Sequence, residues 1–371
     1  MTVRALRSVV PGPGLPPDLV LGAANNNLDA ARHDGRLWLA VRTAPTHYAS
    51  AAARLLVLVS DDEGARWVLD HEVAMGRDVR EPRLVPWRGR LLLVWFTGGT
   101  SATRLEPDRI HVAVRATGWS EPAAVSPPDC IPWRIRPVGG RLLMTLYRGA
   151  GSLFTAHPVP LTVELWASDD GLAWAPADLE RPVVHEGGAE ADHLELPDGR
   201  LLAVVRKEGP EGGWGSDLVV APADDPGDWR RRASDPRKFD SPCLFLHGDE
   251  PHLIARRQVA FGGRYDLGLR GLPPSWRTKV DQLAYVLTPK RTARYRIDPD
   301  ALTATWLHDL PSAGDTAFAA VVPAADGEGH LVFNYSSRLD RGWWPWVVGQ
   351  LRPTHVYSAE LDGASPSGGG S

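Results

Sequence analysis

The chain has little sulfur to work with: Cys130 and Cys243 are the only cysteines in 371 residues. Two thiols cannot build a disulfide framework, so a hydrophobic core must hold the fold, and a reducing cytoplasm is the expected setting. No apolar run approaches the roughly 20 residues that cross a bilayer. The opening MTVRALRSVVPGPGLPPDLV has no continuous apolar segment of the kind a secretory signal needs. Basic runs are missing as well, and the net charge is −4, so neither nucleic acid nor an anionic membrane is an expected partner. HExxH, CxxC and Gly-rich phosphate loops do not occur, which argues against zinc hydrolases and nucleotide enzymes; no metal and no cofactor are expected. Amphipathic helical periodicity is scarce, which leaves strands to build the molecule.

What is present is a balanced globular composition, 43% hydrophobic and 23% charged, with an unusual aromatic choice of fifteen Trp against seven Tyr and seven Phe. Runs of five to eight residues rich in Val, Leu, Ile and Trp end on Gly, Pro or Asp, the pattern of short strands. One phrase recurs: GRLWLAVR (35–42), GRLLLVWF (89–96), GRLLMTLYR (140–148) and GRLLAVVRK (199–207), with looser copies DEPHLIARR (249–257) and GEGHLVFNY (327–335). Another short strand and a turn precede each copy, which gives six hairpins. A third strand follows each, for example RLLVLVSDD and TVELWASDD, and the next turn tends to close on Trp67, Trp119, Trp174, Trp229 and Trp306. These are 52, 55, 55 and 77 residues apart.

A unit of about 50 residues with four antiparallel strands predicts a propeller blade. Six such units predict an all-β, six-bladed β-propeller, read as a single domain over residues 1–363 with a flexible tail or linker at 364–371. Blade five is long because of an insertion near 258–290, and VRALRSVV at the N-terminus is expected to supply the outer strand of blade six.

Two turns, SDDEGARW (60–67) and SDDGLAW (168–174), follow the Asp-box pattern S-x-D-x-G-x-x-W, the second one residue shorter; ADDPGDW (223–229) is a degraded copy. In such a turn the Asp accepts backbone hydrogen bonds, Gly supplies a positive φ and Trp packs between sheets, a structural role. With these turns on six repeats, the sequence resembles the sialidase (neuraminidase) superfamily of propellers. The resemblance implies a substrate carboxylate clamped by three Arg, an Asp acid/base, and a Tyr nucleophile activated by a Glu. The chain departs from it in the first blade, where NNNLDAA stands in place of an R-I-P segment; WRIRP (133–137) has a similar look but falls in blade three.

Antiparallel geometry brings the start of each first strand and the end of each second strand to one end of the blade, around the central channel, with the Asp-box turns at the other end. Those positions carry Asp29, Arg80, Glu81, Trp133, Arg134, Arg136, Glu190, Asp192, His193, Asp240 and Asp315 from first strands. Second strands add Arg206, Arg256, Arg257 and Tyr335. The plain explanation for any one of them is a solvated strand end or an inter-blade salt bridge. Charges converging on one funnel from six blades suit a ligand site better.

Glycoside hydrolysis needs one carboxylic acid and a second group as base or nucleophile, and guanidinium forks suit an acidic sugar. The expected function is therefore a sialidase-like glycoside hydrolase acting on an acidic sugar or oligosaccharide. Asp240, Glu190, Asp192, Glu81 and Tyr335 are the catalytic candidates and the remaining ring residues bind substrate. Non-hydrolytic reuse of the scaffold, as a lyase, isomerase or biosynthetic enzyme, and a non-catalytic carbohydrate- or protein-binding propeller are the alternatives. The apolar WWPWVV (343–348) reads as core packing, a lid over the site or a homodimer contact.

Overall fold

A computed structural model describes residues 4–361 apart from 102–105, 153–158, 209–213, 328 and 341; the tail expected at 364–371 lies outside the described residues. After β1 (Arg4–Val10), blade one comprises β2 (Ala24–His33), β3 (Arg36–Ala44), β4 (Arg54–Ser60) and β5 (Val68–Val73). Blade two has β6 (Asp78–Trp87), β7 (Arg90–Gly98), β8 (Pro107–Arg115) and β9 (Ala123–Ala124). Blade three has β10 (Cys130–Val138), β11 (Arg141–Arg148), β12 (Thr162–Ser168) and β13 (Ala175–Pro176), with β14 (Val183–Glu186) also pairing with β12. Blade four has β15 (Gly188–Glu195), β16 (Leu201–Lys207), β17 (Ser216–Ala221) and β18 (Arg231–Asp235). Blade five has β19 (Asp240–His247), β20 (Glu250–Gln258), β21 (Lys290–Asp298) and β22 (Thr303–Asp309), with helix α1 (Pro274–Leu287) between β20 and β21. Blade six has β23 (Ala313–Pro323), β24 (His330–Arg338) and β25 (His355–Leu361), with the short helix α2 (Trp346–Gln350) before β25.

This is a six-bladed β-propeller. Inner strands pack side by side around the channel, β2 against β6 and so on until β23 meets β2. β1 pairs antiparallel with β25, so the first strand of the chain completes the last blade as expected.

The recurring GRLLLVWF phrase reads as a continuous apolar run, and burial explains it. A middle strand is covered on both faces by neighbouring blades, and in β7 every residue from Leu91 to Gly98 is buried. Outer strands face water on one side and are mostly exposed or half-buried, as in β5. Each fully buried Leu contributes about 1.5–3 kcal/mol, so the four best phrases carry much of the core.

The two repeated turns are built alike. Ser60 Oγ accepts from Gly64 N at 2.9 Å while Asp62 Oδ1 accepts from Arg66 N at 2.8 Å. Ser168 Oγ accepts from Gly171 N at 2.9 Å and Asp170 Oδ1 from Ala173 N at 2.9 Å. Trp67 and Trp229 are buried in the core. Trp306 is not: it lies within the outer strand β22 rather than in the turn before it, and is 49% exposed.

Candidate functional site

A bulge in the first strand of every blade places the site, and blade six has a second between Ala313 and Thr316. Each inner strand loses register with its partner near its first residues: between Asn26 and Leu28, Arg80 and Arg83, Pro132 and Arg134, Gly188 and Ala191, Asp240 and Cys243, and Ala317 and Ala320. A bulge adds a residue that the ladder does not use and re-aims its side chain. Asn27, Glu81, Ser241 and Phe318 hold this position at φ of 43°, 54°, 51° and 56°. Left-handed backbone costs a non-glycine residue about 1–2 kcal/mol, and four instances around one channel are the strain pattern of a functional site. Asn27, Glu81, Glu190, Ser241 and Phe318 all line one cavity of about 410 Å³, within the size range of small-molecule sites. Trp133, the bulge residue of blade three, packs on Phe318 with ring centroids 5.3 Å apart.

The cavity also collects Arg80, Arg206, Arg256, Tyr147, Tyr335, His47 and Trp346. Arg206 Nη1 lies 2.7 Å from Glu190 Oε1 and 3.5 Å from Asp240 Oδ1, and its Nε lies 2.5 Å from Glu208. Glu190 is held from the other side by Ser241 N, which donates to Oε2 at 2.6 Å. Arg256 reaches Asp240 through Nε at 3.4 Å and stacks its guanidinium 4.5 Å above the Trp346 ring. Its two Nη atoms have no hydrogen-bond acceptor among the described residues.

Tyr335 Oη donates to Asp315 Oδ1 at 3.3 Å; the same oxygen accepts from Trp346 Nε1 at 2.9 Å, and Oδ2 lies 2.6 Å from His47 Nδ1. Asn27 Nδ2 donates to Glu81 Oε1 at 3.0 Å. Arg80 pairs with Asp78 and donates to His47 O at 2.8 Å.

The surroundings push these carboxyls apart. Burial raises Glu81 to about 8, with Arg83 pulling against it and Glu190 adding to it. Burial also raises Glu190, against the pull of Arg206. Asp240 is equally buried, yet Lys238, Arg256, Arg206 and Lys290 outweigh that penalty and hold it below the usual carboxylate value. Asp315 is likewise depressed: burial opposes, and His47 and Arg256 win. Burial and the Asp315 charge lift the Tyr335 phenol well above its ordinary value. One cavity thus holds a carboxyl that stays protonated near neutral pH beside others that stay ionised.

Of the residues the sequence singled out, Arg80, Glu81, Glu190, Arg206, Arg256 and Tyr335 line the cavity, and Asp240 and Asp315 sit immediately behind it. The others do not come to it. Asp192 is fully buried in an inter-blade lock: it accepts from Arg134 Nε at 3.0 Å, from Arg136 Nη2 at 3.1 Å and from Leu244 N at 2.8 Å. Arg134 also reaches Asp29 at 3.3 Å, and Asp29 accepts from Leu84 N at 3.0 Å. His193 is buried with Thr145 Oγ1 at 3.4 Å, and burial holds it down to about 3. Trp133 donates to Pro242 O at 3.1 Å. Arg257 points to the outer side of blade five, where it forms a two-pronged pair with Asp309, both contacts 2.7 Å.

The geometry therefore keeps both Asp192 and Arg257 away from the cavity. Arg256 and Arg257 are adjacent in a strand and must face opposite ways. Tyr147, Phe318, Ser241, His47 and Tyr285 were not expected. Tyr147 could have been found by the same alternation, since it neighbours Arg148, which points away to Glu164 at 3.7 Å. His47 lies in the β3–β4 loop and carries no motif.

No protein-family profile matches the sequence, and no curated protein sequence does. Solved structures do share the fold. A protein of unknown function from Dyadobacter fermentans superposes at a TM-score of 0.64 with 14% identity, over 97% of this chain and 99% of that one. Trypanosoma rangeli sialidase superposes at 0.61 with 11% identity over 91% of this chain, which spans 55% of that protein's length. The phage phi92 endosialidase superposes at 0.58 with 12% identity, over 98% of this chain and 70% of that one. The chain has a sialidase-like propeller fold.

Proposed function

We propose that the chain is a sialidase-like glycoside hydrolase acting on an acidic sugar or glycoside. The observation that carries this reading is the company Arg206 and Arg256 keep: two guanidiniums share one cavity with the carboxyls of Glu81 and Glu190 and the phenol of Tyr335. The free Nη pair of Arg256 suits a planar carboxylate, which a two-pronged guanidinium recognises better than a hydroxyl. Glu81, protonated up to about pH 8, donates its proton to the leaving glycosidic oxygen. Tyr335 Oη attacks the anomeric carbon as that C–O bond breaks, and its proton passes to Asp315, to which it already donates. In the second half, the Glu81 carboxylate takes a proton from water, the water oxygen displaces the tyrosyl oxygen, and Asp315 returns the proton to Tyr335.

The sialidase and endosialidase names of the fold neighbours make nonulosonic acid glycosides the first substrates to try. One observation favours a second reading, a non-catalytic sugar-binding propeller: Glu190, Asp240 and Asp315 all have internal partners already. Hydrolysis of umbelliferyl glycosides of N-acetylneuraminate and glucuronate separates the two. Glu81→Gln and Tyr335→Phe should each lower kcat by about 10²–10⁴. If wild type turns over and both variants keep full rate, the assignment is wrong; if wild type binds these sugars without turnover, the binding reading replaces it.

A further inference from the structure

Two segments outside the blades come to the site, one lining the cavity and the other touching the carboxylate behind it, and they hold each other. The β20–β21 connection carries α1 and the β24–β25 connection carries α2. Trp346 N donates to Thr288 O at 3.1 Å, Pro289 and Pro345 form an isolated β-bridge, and the rings of Tyr285 and Trp346 meet edge to face at 5.5 Å. Lys290 Nζ donates to Tyr285 O, Thr288 O and Thr288 Oγ1, which ties the end of α1 to the start of β21. From this junction each insertion grips one carboxylate of the site. Tyr285 Oη donates to Asp240 Oδ2, and Trp346 Nε1 donates to Asp315 Oδ1.

Trp346 closes the circuit. Its ring face carries the Arg256 guanidinium at 4.5 Å, and Arg256 Nε in turn reaches the same Asp240 that Tyr285 holds. A guanidinium on a strand end has several rotamers within reach. Here the indole fixes its plane and Asp240 fixes its Nε edge, so the Nη edge is the one left for a ligand. Stacking of this kind strengthens with desolvation, and Arg256 is only 6% exposed. Gln350, one turn on, lines the same cavity.

We infer that Trp346 is a positioning residue: it orients Arg256 toward an anionic substrate and joins the two insertions into one cap, so that anion affinity depends on a residue that makes no bond to the anion. This rests on the reading that the cavity takes an acidic sugar.

Trp346→Phe keeps an aromatic face and loses only the N–H, whereas Trp346→Leu loses both. Calorimetric titration with N-acetylneuraminate, glucuronate and neutral glucose reads the orientation of Arg256. Affinity for the two acids should fall tenfold or more in Trp346→Leu and stay within about threefold in Trp346→Phe, with any glucose binding unchanged. Hydrogen exchange reads the cap without any sugar: in Trp346→Leu, protection should drop over 274–287 and 346–350 together while the blades keep theirs. The inference fails if Trp346→Leu binds the acids as wild type does, if Trp346→Phe loses as much as Trp346→Leu, or if loosening stays within 346–350. If wild type binds neither acid, it is the acidic-sugar reading that fails, and the exchange pattern still decides whether Trp346 joins the two insertions.

Discussion

Asp192 is the sharpest test of scaffold against chemistry, because its sequence position suggests catalysis and its surroundings do not. Replacement by Asn keeps an acceptor for Leu244 N and removes the charge between Arg134 and Arg136. Losing one partner of a buried ion pair costs about 3–5 kcal/mol. Arg134 retains Asp29 and Arg136 retains its bond to Leu244 O at 2.6 Å, which argues for the lower end. Unfolding entropy of about 2.1 cal/mol/K per residue over 371 residues comes to roughly 0.8 kcal/mol/K. About 3 kcal/mol then lowers the melting temperature by about 4 °C. Calorimetry at pH 7 measures this.

The sign of the pH dependence follows from direction alone. The folded Asp192 pKa lies below its ordinary 3.8, since Arg134 and Arg136 overcome the burial penalty. Its stabilisation is therefore complete above that value and fades as pH falls through the folded pKa, so the wild-type and Asp192→Asn curves should converge in strong acid. An unchanged melting temperature together with a hundredfold loss of kcat would refute the reasoning and return Asp192 to the catalytic set.

Three further outcomes are expected. With Glu81 as the acid, kcat/KM falls as pH rises through about 8, and because its folded pKa is raised from 4.5, wild-type stability also declines between those values while Glu81→Gln removes that decline; pH-dependent rates and melts check both. Arg256→Gln should weaken acidic-sugar binding tenfold or more by titration, whereas Arg257→Gln, which breaks only outer contacts with Asp309 and Trp306, should leave it within twofold. Denaturant unfolding should show Trp67→Ala costing about 3–5 kcal/mol and Ser60→Ala about 1–3 kcal/mol, since its Oγ accepts from Asp62 N and Gly64 N and donates to Asp62 Oδ1.

The blades could be read because the sequence repeats its own solution. A middle strand buried on both faces must be apolar throughout, so GRLWLAVR and GRLLLVWF announce themselves, and the Asp-containing turns mark the ends. The general location of the site followed from antiparallel geometry. Which residue of each pair enters the cavity did not, since alternation puts neighbours on opposite faces without marking which face meets the channel. Arg256 beside Arg257, and Arg206 beside Lys207 with its Asp217 partner at 2.7 Å, differ only in the face they take. Contributions from connections were the hardest to see. His47 and Tyr285 acquire their roles only when loops far apart in sequence meet Asp315 and Asp240.

The bulges also bear on how such a scaffold can change its chemistry. At Asn27, Trp133 or Ser241 the chain spends a residue that no neighbouring strand requires. Substitution there leaves the β-ladder pairs intact and alters the side-chain contacts made around the axis. The ring therefore offers six sockets coupled in three pairs, Asn27 with Glu81, Glu190 with Ser241 and Trp133 with Phe318, and a new activity can be written into them a pair at a time. An engineer seeking another substrate should vary these six positions first and leave the Asp192 lock alone.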